Sequence, residues 1–195
     1  MVGVEVLAPT FTTAEAFAAG VHPRRLYQWR DDGLVVELSR GVFRRANAPA
    51  ASHPELLGVA RRSPVAVVCL VSAGALHDLT DELPRAAQIA VPRGRRAPRI
   101  GYPAVEVFHF DAATFDLGIE AVEAAPGEAV RAYSAARTVV DLMRFRRRIG
   151  EPLALGALRR YLSQRGARPA LLLELARPLD VLGPVRAAVD VLEAS

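Results

Sequence analysis

The sequence of 195 residues contains no lysine, because all 25 of its Lys and Arg positions are arginine. This absence excludes enzymes whose chemistry depends on a lysine amine, namely P-loop nucleotidases, ordinary protein kinases and imine-forming enzymes. Nucleases with an Asp…Glu-x-Lys pattern are excluded as well, since Glu106 is followed two positions later by Phe108. The residue types that remain favour binding over catalysis.

Cysteine is nearly as scarce. Cys69 is the only one, and it lies in the apolar run from Val65 to Val71, where a thiol is expected to be buried and inert. One cysteine permits no disulfide framework, and the N-terminus has neither the basic region nor the long apolar core of a signal peptide. No hydrophobic run approaches the roughly 20 residues of a transmembrane helix. These absences favour a cytoplasmic protein without a membrane partner.

Residues that could form a catalytic or metal site are scattered. Ser72, His77 and Asp78 have the residue types of a hydrolytic triad, but in one short helix they point in different directions, and no Gly-x-Ser-x-Gly turn is present. Four histidines lack the spacing of metal ligands: His22, His53, His77 and His109. We therefore predict no catalytic residues, no metal and no cofactor.

The segment from Thr12 to Arg45 is typical of a helix, a tight turn, a second helix and a basic hairpin. Thr12 and Glu15 have the spacing of a capping box, which begins a helix. Gly20 is suited to end that helix, because glycine adopts a left-handed conformation at little cost. Pro23 suits the first position of the second helix, where no backbone amide is needed.

The second helix is expected to bury Leu26 and Trp29, which lie three residues apart on one face. Two strands, Leu34 to Leu38 and Val42 to Arg45, then form a hairpin. The pattern predicts a winged helix-turn-helix over residues 1–46, with one helix docked in the DNA major groove. The predicted DNA-binding residues are Arg24, Arg25, Tyr27, Gln28, Arg40, Arg44 and Arg45. A helical hairpin used only for packing is the alternative.

Domains of this kind usually open with a further helix. Only Met1 to Phe11 precede Thr12, and Val2, Val4 and Val6 alternate as in a strand. That helix is therefore expected to be missing or replaced.

Beyond a linker rich in Ala, Asn, Pro and Ser, residues 55–195 form a second predicted domain. Short helices are predicted at Pro54 to Arg61 and from Ser72 to Leu79. The predicted strands are Val65 to Val71, Ala86 to Val91, Val105 to Phe110 and Glu128 to Tyr133, and the later helices are Ala135 to Arg147, Pro152 to Gln164, Pro169 to Ala176 and Leu182 to Leu192. Strands followed by helices predict an α+β fold, with a winged helix-turn-helix before a mixed α/β domain that ends in a helical bundle.

Two features of the second domain could bind a partner. Pro92 to Arg99 places four arginines in a proline-bounded loop, which could bind phosphate or a carboxylate-rich protein face. An ordinary solvated loop is the alternative. Arg137 and Asp141 lie four residues apart and can pair on one face of a helix. A purely structural ion pair is the alternative.

Four short segments occur in order along the chain: Gly41-Val42-Phe43, Ser72-x-x-Ala75-Leu76-His77, Val91 to Arg96, and Ala136 to Asp141. Together they resemble the AbiEi-type antitoxins of actinobacteria, roughly from Thr12 to Leu162. The resemblance implies a winged helix that represses its own operon and a C-terminal antitoxin domain. The implied partners are operator DNA and an AbiEii-type nucleotidyltransferase-like toxin. The implied toxin-binding residues are Arg93, Arg95, Arg96, Arg99, Arg137 and Asp141.

Two other functions stay open on the sequence. An antitoxin could act as an atypical serine/threonine kinase on its toxin, using arginine for phosphate and acids such as Asp111 and Asp116 for a metal. A solitary winged-helix regulator, whose C-terminal domain senses a ligand or forms a homodimer, is the other.

Overall fold

A computed structural model of the chain describes residues 3–194 and has an α+β fold with two sheets. The strands are β1 (Thr10–Thr12), β2 (Val35–Ser39), β3 (Val42–Arg45), β4 (Val67–Val68), β5 (Ala87–Pro92), β6 (Val105–Phe110), β7 (Ile119–Ala125) and β8 (Glu128–Tyr133). The helices are α1 (Thr13–Ala18), α2 (Pro23–Asp31), α3 (Pro54–Arg62), α4 (Leu70–Leu76), α5 (Ala135–Arg144), α6 (Arg146–Ile149), α7 (Glu151–Ser163), α8 (Pro169–Ala176) and α9 (Leu182–Glu193).

The first helix begins and ends as the sequence predicts. The hydroxyl of Thr12 accepts a hydrogen bond from the backbone amide of Glu15 at 3.2 Å, and the Glu15 carboxylate accepts one from the Thr12 amide at 2.6 Å. This capping box satisfies two amides that would otherwise have no partner. Gly20 follows with a φ of +82°, and Pro23 then takes the first position of α2. The predicted helix, tight turn and second helix are therefore present in this order.

The three-stranded sheet has the order β1-β3-β2 and packs with α1 and α2 around one small core. Phe11 and Phe43 stack with ring centroids 6.0 Å apart, and Leu26 and Trp29 are buried as predicted. We call residues 3–46 the N-terminal module.

The start of the N-terminal module differs from the prediction. Val2 lies outside the described residues, and Val4 to Val6 form one turn of 3-10 helix, so the predicted strand there is wrong. Val4 and Leu7 are buried in the module core. The strand lies further along, at Thr10–Thr12, where it pairs antiparallel with β3.

The five-stranded sheet has the order β6-β5-β4-β8-β7. β5 runs parallel to β6, and β4 runs parallel to β8; the other two pairs are antiparallel. One face of this sheet shares a hydrophobic core with α5 and α7 to α9, the helices of the region where a helical bundle was predicted. We call these four helices the helical layer. The opposite face packs against α3. We call residues 54–194 the C-terminal body.

Several predicted elements of the C-terminal body need correction. The strand expected at Val65 to Val71 covers only Val67–Val68, because the chain turns at Leu70, with a φ of +48°, and α4 begins there. The helix predicted from Ser72 to Leu79 begins two residues earlier, so Ser72 lies within α4, where its buried hydroxyl accepts a hydrogen bond from the Gln88 amide. The predicted helix from Ala135 to Arg147 is interrupted at Phe145.

The N-terminal module rests directly on the C-terminal body. Gly58 of α3 lies so close to β2 that a Cβ atom there would be 2.9 Å from the carbonyl oxygen of Leu38. The Arg61 guanidinium donates a hydrogen bond to the carbonyl oxygen of Thr10 at 3.0 Å. The hydroxyl of Ser39 donates to the carbonyl oxygen of Tyr102 at 2.6 Å. Between residues 3 and 194, no helix is both long enough and apolar enough to cross a bilayer.

Candidate nucleic-acid interface

The outer face of α2 carries the polar residues expected to contact DNA. Leu26 and Trp29 fix the helix by burying its other face, which leaves Arg24 and Gln28 exposed to solvent. Within residues 3–194, the guanidinium of Arg24 has neither a hydrogen-bond nor an ion-pair partner. An exposed arginine and glutamine on one short helix can donate and accept hydrogen bonds at base edges.

The other cations of α2 are already engaged. Arg25 lies 5.6 Å from the centroid of the Trp29 ring and donates a 3.4 Å hydrogen bond to the side-chain oxygen of Gln28. Arg30 stacks over Tyr27 at 5.1 Å and pairs with Asp31 at 3.0 Å. A DNA contact by these side chains would therefore compete with contacts inside the module.

The wing turn between β2 and β3 is held from two sides. The amide of Gly41, which has a φ of +74°, donates to the carboxylate of Glu37 at 2.9 Å. Its carbonyl oxygen accepts from the amide of Thr13 at 2.9 Å, at the start of α1. Arg40 lies exposed at the tip of this braced turn, in a position suited to a phosphate contact.

Arg44 is buried, which contradicts its prediction as a DNA-contacting residue. It is 7% exposed and donates to the hydroxyl of Thr10 at 2.7 Å and to the carbonyl oxygen of Pro49 at 2.5 Å. It also forms an ion pair with Glu128, in the C-terminal body. The neighbouring Arg45 is half-buried, so β3 contributes less to a DNA surface than its sequence indicates.

Arg137 and Asp141 are not on a toxin-binding surface either, because both side chains are fully buried. They pair at 2.9 Å, and Arg137 also donates to the carbonyl oxygens of Thr114 at 2.9 Å and Leu117 at 2.7 Å. Its guanidinium lies 4.5 Å from the centroid of the Tyr133 ring. The helical spacing correctly predicted the pair but not its burial.

Electrostatics around this pair are dominated by the loss of solvent. Burial raises the pKa of the Asp141 carboxyl, and the opposing effects of Arg137 and Arg144 offset only part of that rise. Arg144 pairs with the second carboxylate oxygen at 2.8 Å. Burial likewise raises the pKa of the Tyr133 hydroxyl, which donates a hydrogen bond to the carbonyl oxygen of Phe115. This cluster is therefore part of the core.

The predicted basic loop is exposed. We call residues 93–104, which join β5 to β6, the arginine loop. Its four arginines, Arg93, Arg95, Arg96 and Arg99, are all solvent-exposed, and none has a side-chain ion pair with an acid of the described chain. Arg93 and Arg95 line a groove of about 530 Å³ together with Asp116 and Arg131. This surface has the charge expected of an anion-binding site.

Asp111 and Asp116, the acids considered for a kinase-like site, have surroundings that do not resemble a metal site. Asp111 accepts a hydrogen bond from the backbone amide of Ala113 at 2.9 Å, and Asp116 faces the groove of Arg93 and Arg95. Among the described residues, no three His, Cys, Asp or Glu side chains gather closely enough to hold a metal ion.

Tyr102 is a surface feature that sequence reasoning missed. The residue is 68% exposed and lies beside the wing, because its carbonyl oxygen accepts a hydrogen bond from the hydroxyl of Ser39. The only sequence signal was an aromatic residue between Gly101 and Pro103, in a segment whose proximity to the wing depends on contacts 63 residues apart in sequence.

Comparisons with known proteins find a solved structure of similar fold and a family that matches the N-terminal module. The chain is similar in fold to the RV2827C protein from Mycobacterium tuberculosis, with a TM-score of 0.50 and 16% identity over 94% of this chain and 76% of that chain. No curated protein matches the sequence. Residues 7–46, which include the whole helix-turn-helix and wing, match the family described as "Transcriptional regulator, AbiEi antitoxin". The N-terminal module is thus similar to the AbiEi antitoxin family of transcriptional regulators.

Proposed function

We propose that this chain is a DNA-binding regulator of the AbiEi antitoxin type that represses its own operon. In this proposal α2 enters the major groove, with Arg24 and Gln28 at base edges, and Arg40 rests on the phosphate backbone from the wing. The observation that carries the proposal is the outer face of α2, whose unpaired Arg24 stands on a helix fixed by buried Leu26 and Trp29. A regulator of its own promoter would act in the cytoplasm.

Replacing Arg24 by alanine tests the DNA-reading role of α2. Loss of one bidentate arginine contact to a base is expected to weaken binding to the DNA upstream of the gene by about ten- to a hundredfold. Fold stability should be unchanged, since the side chain is exposed and unpaired within the described chain. The measurement is a titration of labelled upstream duplex by fluorescence anisotropy.

The matched control is R165A, which removes an exposed arginine outside the N-terminal module. Equal affinities for R24A and R165A would reject α2 as the reading helix. Absence of sequence-specific binding by the wild-type protein would reject the regulator proposal altogether.

We further propose that the chain neutralises a toxin encoded beside it, with a nucleotidyltransferase-like protein as partner. The support is the description of the family that matches residues 7–46, which includes antitoxins. Co-expression with the neighbouring reading frame is expected to restore growth that the neighbour alone prevents. The R24A variant should rescue equally well when both genes are transcribed from a foreign promoter, because neutralisation then requires no operator binding.

A toxic neighbour that the wild-type chain fails to rescue would contradict the antitoxin role. A harmless neighbour would leave the regulator as the function and favour the solitary winged-helix alternative.

A further inference from the structure

We propose that a groove at the junction of the N-terminal module and the C-terminal body binds a small amphipathic carboxylate, such as an aromatic or medium-chain acid. In this proposal the carboxylate lies at Arg61 and Arg131, and the apolar part of the ligand lies against α3. The inference goes beyond the proposed DNA-binding function and does not depend on it.

The groove has a volume of about 450 Å³ and takes its walls from both parts of the chain. Thr12 and Glu15 line it from the start of α1, and the other walls come from α3, residues 64–66 and the first half of β8. We call this space the junction groove. Ligand sites commonly have volumes of about 300–1,000 Å³ and occur preferentially between domains. The size and the position of the junction groove therefore both fit a small-molecule ligand.

The junction groove is open because the five-stranded sheet is incomplete beside it. β4 has only two residues and pairs with β8 at one position, Val68 with Ala132. In the described chain, the residues of β8 that precede Ala132 therefore have no partner in β4. A space remains between them and residues 64–66, which lead into β4.

Much of the junction groove wall is apolar. Leu57 of α3 and Val130 of β8 are buried side chains that line it. Three further lining positions carry only a methyl group, namely Ala60, Ala66 and Ala129. A larger side chain at these positions would take up the space, so the small residues leave room for an apolar group. Burial of a ring or a short alkyl chain against this wall is favourable.

Two guanidinium groups line the same groove. Arg61 already binds a carboxylate, because it donates to Glu15 at 3.2 Å as well as to the carbonyl oxygen of Thr10 at 3.0 Å. Arg131 donates to the carbonyl oxygen of Pro64 at 3.2 Å, and it forms no ion pair with an acid of the described chain. Both groups keep further N–H donors in the planar arrangement that matches a carboxylate.

The charge of the lining favours a ligand with a single negative charge. Two guanidinium groups and the Glu15 carboxylate give the junction groove a net charge of +1. A neutral apolar ligand would leave that charge without a partner, whereas a monocarboxylate balances it. The apolar wall and the unpaired Arg131 together therefore indicate an amphipathic acid.

A ligand in the junction groove contacts both parts of the chain at once. A ligand that binds only the folded form stabilises it by mass action. Because the bound acid adds contacts across the same junction that Arg61 already joins, hydrogen exchange in residues 10–19 and 57–66 is expected to slow when it is present.

The test is a calorimetric titration of the full chain with four sodium carboxylates, each compared with its neutral amide: hexanoate, benzoate, phenylacetate and cinnamate. At least one acid is expected to bind with a dissociation constant of about 0.1–1 mM. Its amide should bind about tenfold more weakly, since it lacks the charge-assisted hydrogen bonds to the two arginines.

Two variants locate the site. R131Q should weaken binding of the acid by about tenfold, because it removes one charged partner. A60L should weaken binding by a similar factor or more, because its side chain occupies the apolar part of the groove. Circular dichroism verifies that both variants are folded, as expected for an exposed Arg131 and a half-buried Ala60.

R165Q is the matched control, since it removes an exposed arginine between α7 and α8 of the helical layer and should bind the acid as the wild type does. Absence of saturable binding by all four acids, or equal affinity for acids and amides, would overturn this inference. Loss of binding in R131Q but not in A60L would also overturn it, because Arg131 lines the groove of Arg93 and Arg95 as well. These titrations contain no DNA, so a negative result leaves the proposed regulator standing.

Discussion

Replacing Arg137 by methionine is expected to lower the free energy of unfolding by about 3–5 kcal/mol, because it leaves a buried carboxylate without one of its partners. Arg137 is fully buried, and it also satisfies the carbonyl oxygens of Thr114 and Leu117. Methionine fills much of the volume but supplies no donor. In a protein of this size the midpoint of thermal unfolding should fall by about 10 °C, measurable by calorimetry or circular dichroism.

The pH dependence of the stability lost in R137M distinguishes the effect of the missing charge from the effect of altered packing. Since burial raises the pKa of Asp141 above its unfolded value of about 3.9, the folded protein binds this proton more tightly. The contribution of Asp141 to stability is therefore fully present below its unfolded pKa and is lost as the pH rises through its higher folded pKa. Removing Arg137 should raise the pKa of Asp141 further. The loss of unfolding free energy in R137M should therefore shrink as the pH is lowered. A deficit independent of pH, or below about 1 kcal/mol, would contradict the role of the ion pair.

Replacing Glu128 by alanine is expected to release the N-terminal module from the C-terminal body. Glu128 accepts hydrogen bonds from the guanidinium of Arg44 and, at 3.0 Å, from the amide of Thr10. Without it the buried Arg44 has no carboxylate partner, a defect that costs about 3 kcal/mol or more. Hydrogen exchange should therefore accelerate in residues 3–46 more than in the five-stranded sheet, as mass spectrometry can resolve by peptide.

E123A is the matched control for E128A, since Glu123 is an exposed acid on the adjacent strand β7. E123A should leave exchange in the N-terminal module unchanged. Equal protection of that module in E128A and E123A would show that the Arg44 pair does not hold it.

The sequence was sufficient for the helix-turn-helix because its signals are local. The capping box of Thr12 and Glu15, the proline at the start of α2 and the glycines at helix ends act within a few residues. Alternation and turn residues located β2 and β3 in the same way. Each of these signals depends on neighbouring backbone, and therefore the prediction did not need the rest of the fold.

The predictions about arginine were less accurate, because burial of a charge depends on residues far away in sequence. Arg44 lies 84 residues from Glu128, and Arg137 lies more than 20 from one of the carbonyl groups that it satisfies. β7 was missed for a related reason: Glu120 and Glu123 make it resemble a solvated segment, although it forms an edge of the sheet. The sequence around a charged residue does not show whether the folded protein buries it beside an oppositely charged partner.

The ion pair between Arg44 and Glu128 also bears on how this protein can be divided. The family match ends at residue 46, which suggests that the N-terminal module could be cut out and transferred to another protein. Such a fragment would retain the buried guanidinium and leave its carboxylate behind, and it would expose the side of β2 that now lies against Gly58. A stable unit that contains the N-terminal module must therefore include α3 and the β7–β8 hairpin, so this unit is discontinuous in sequence.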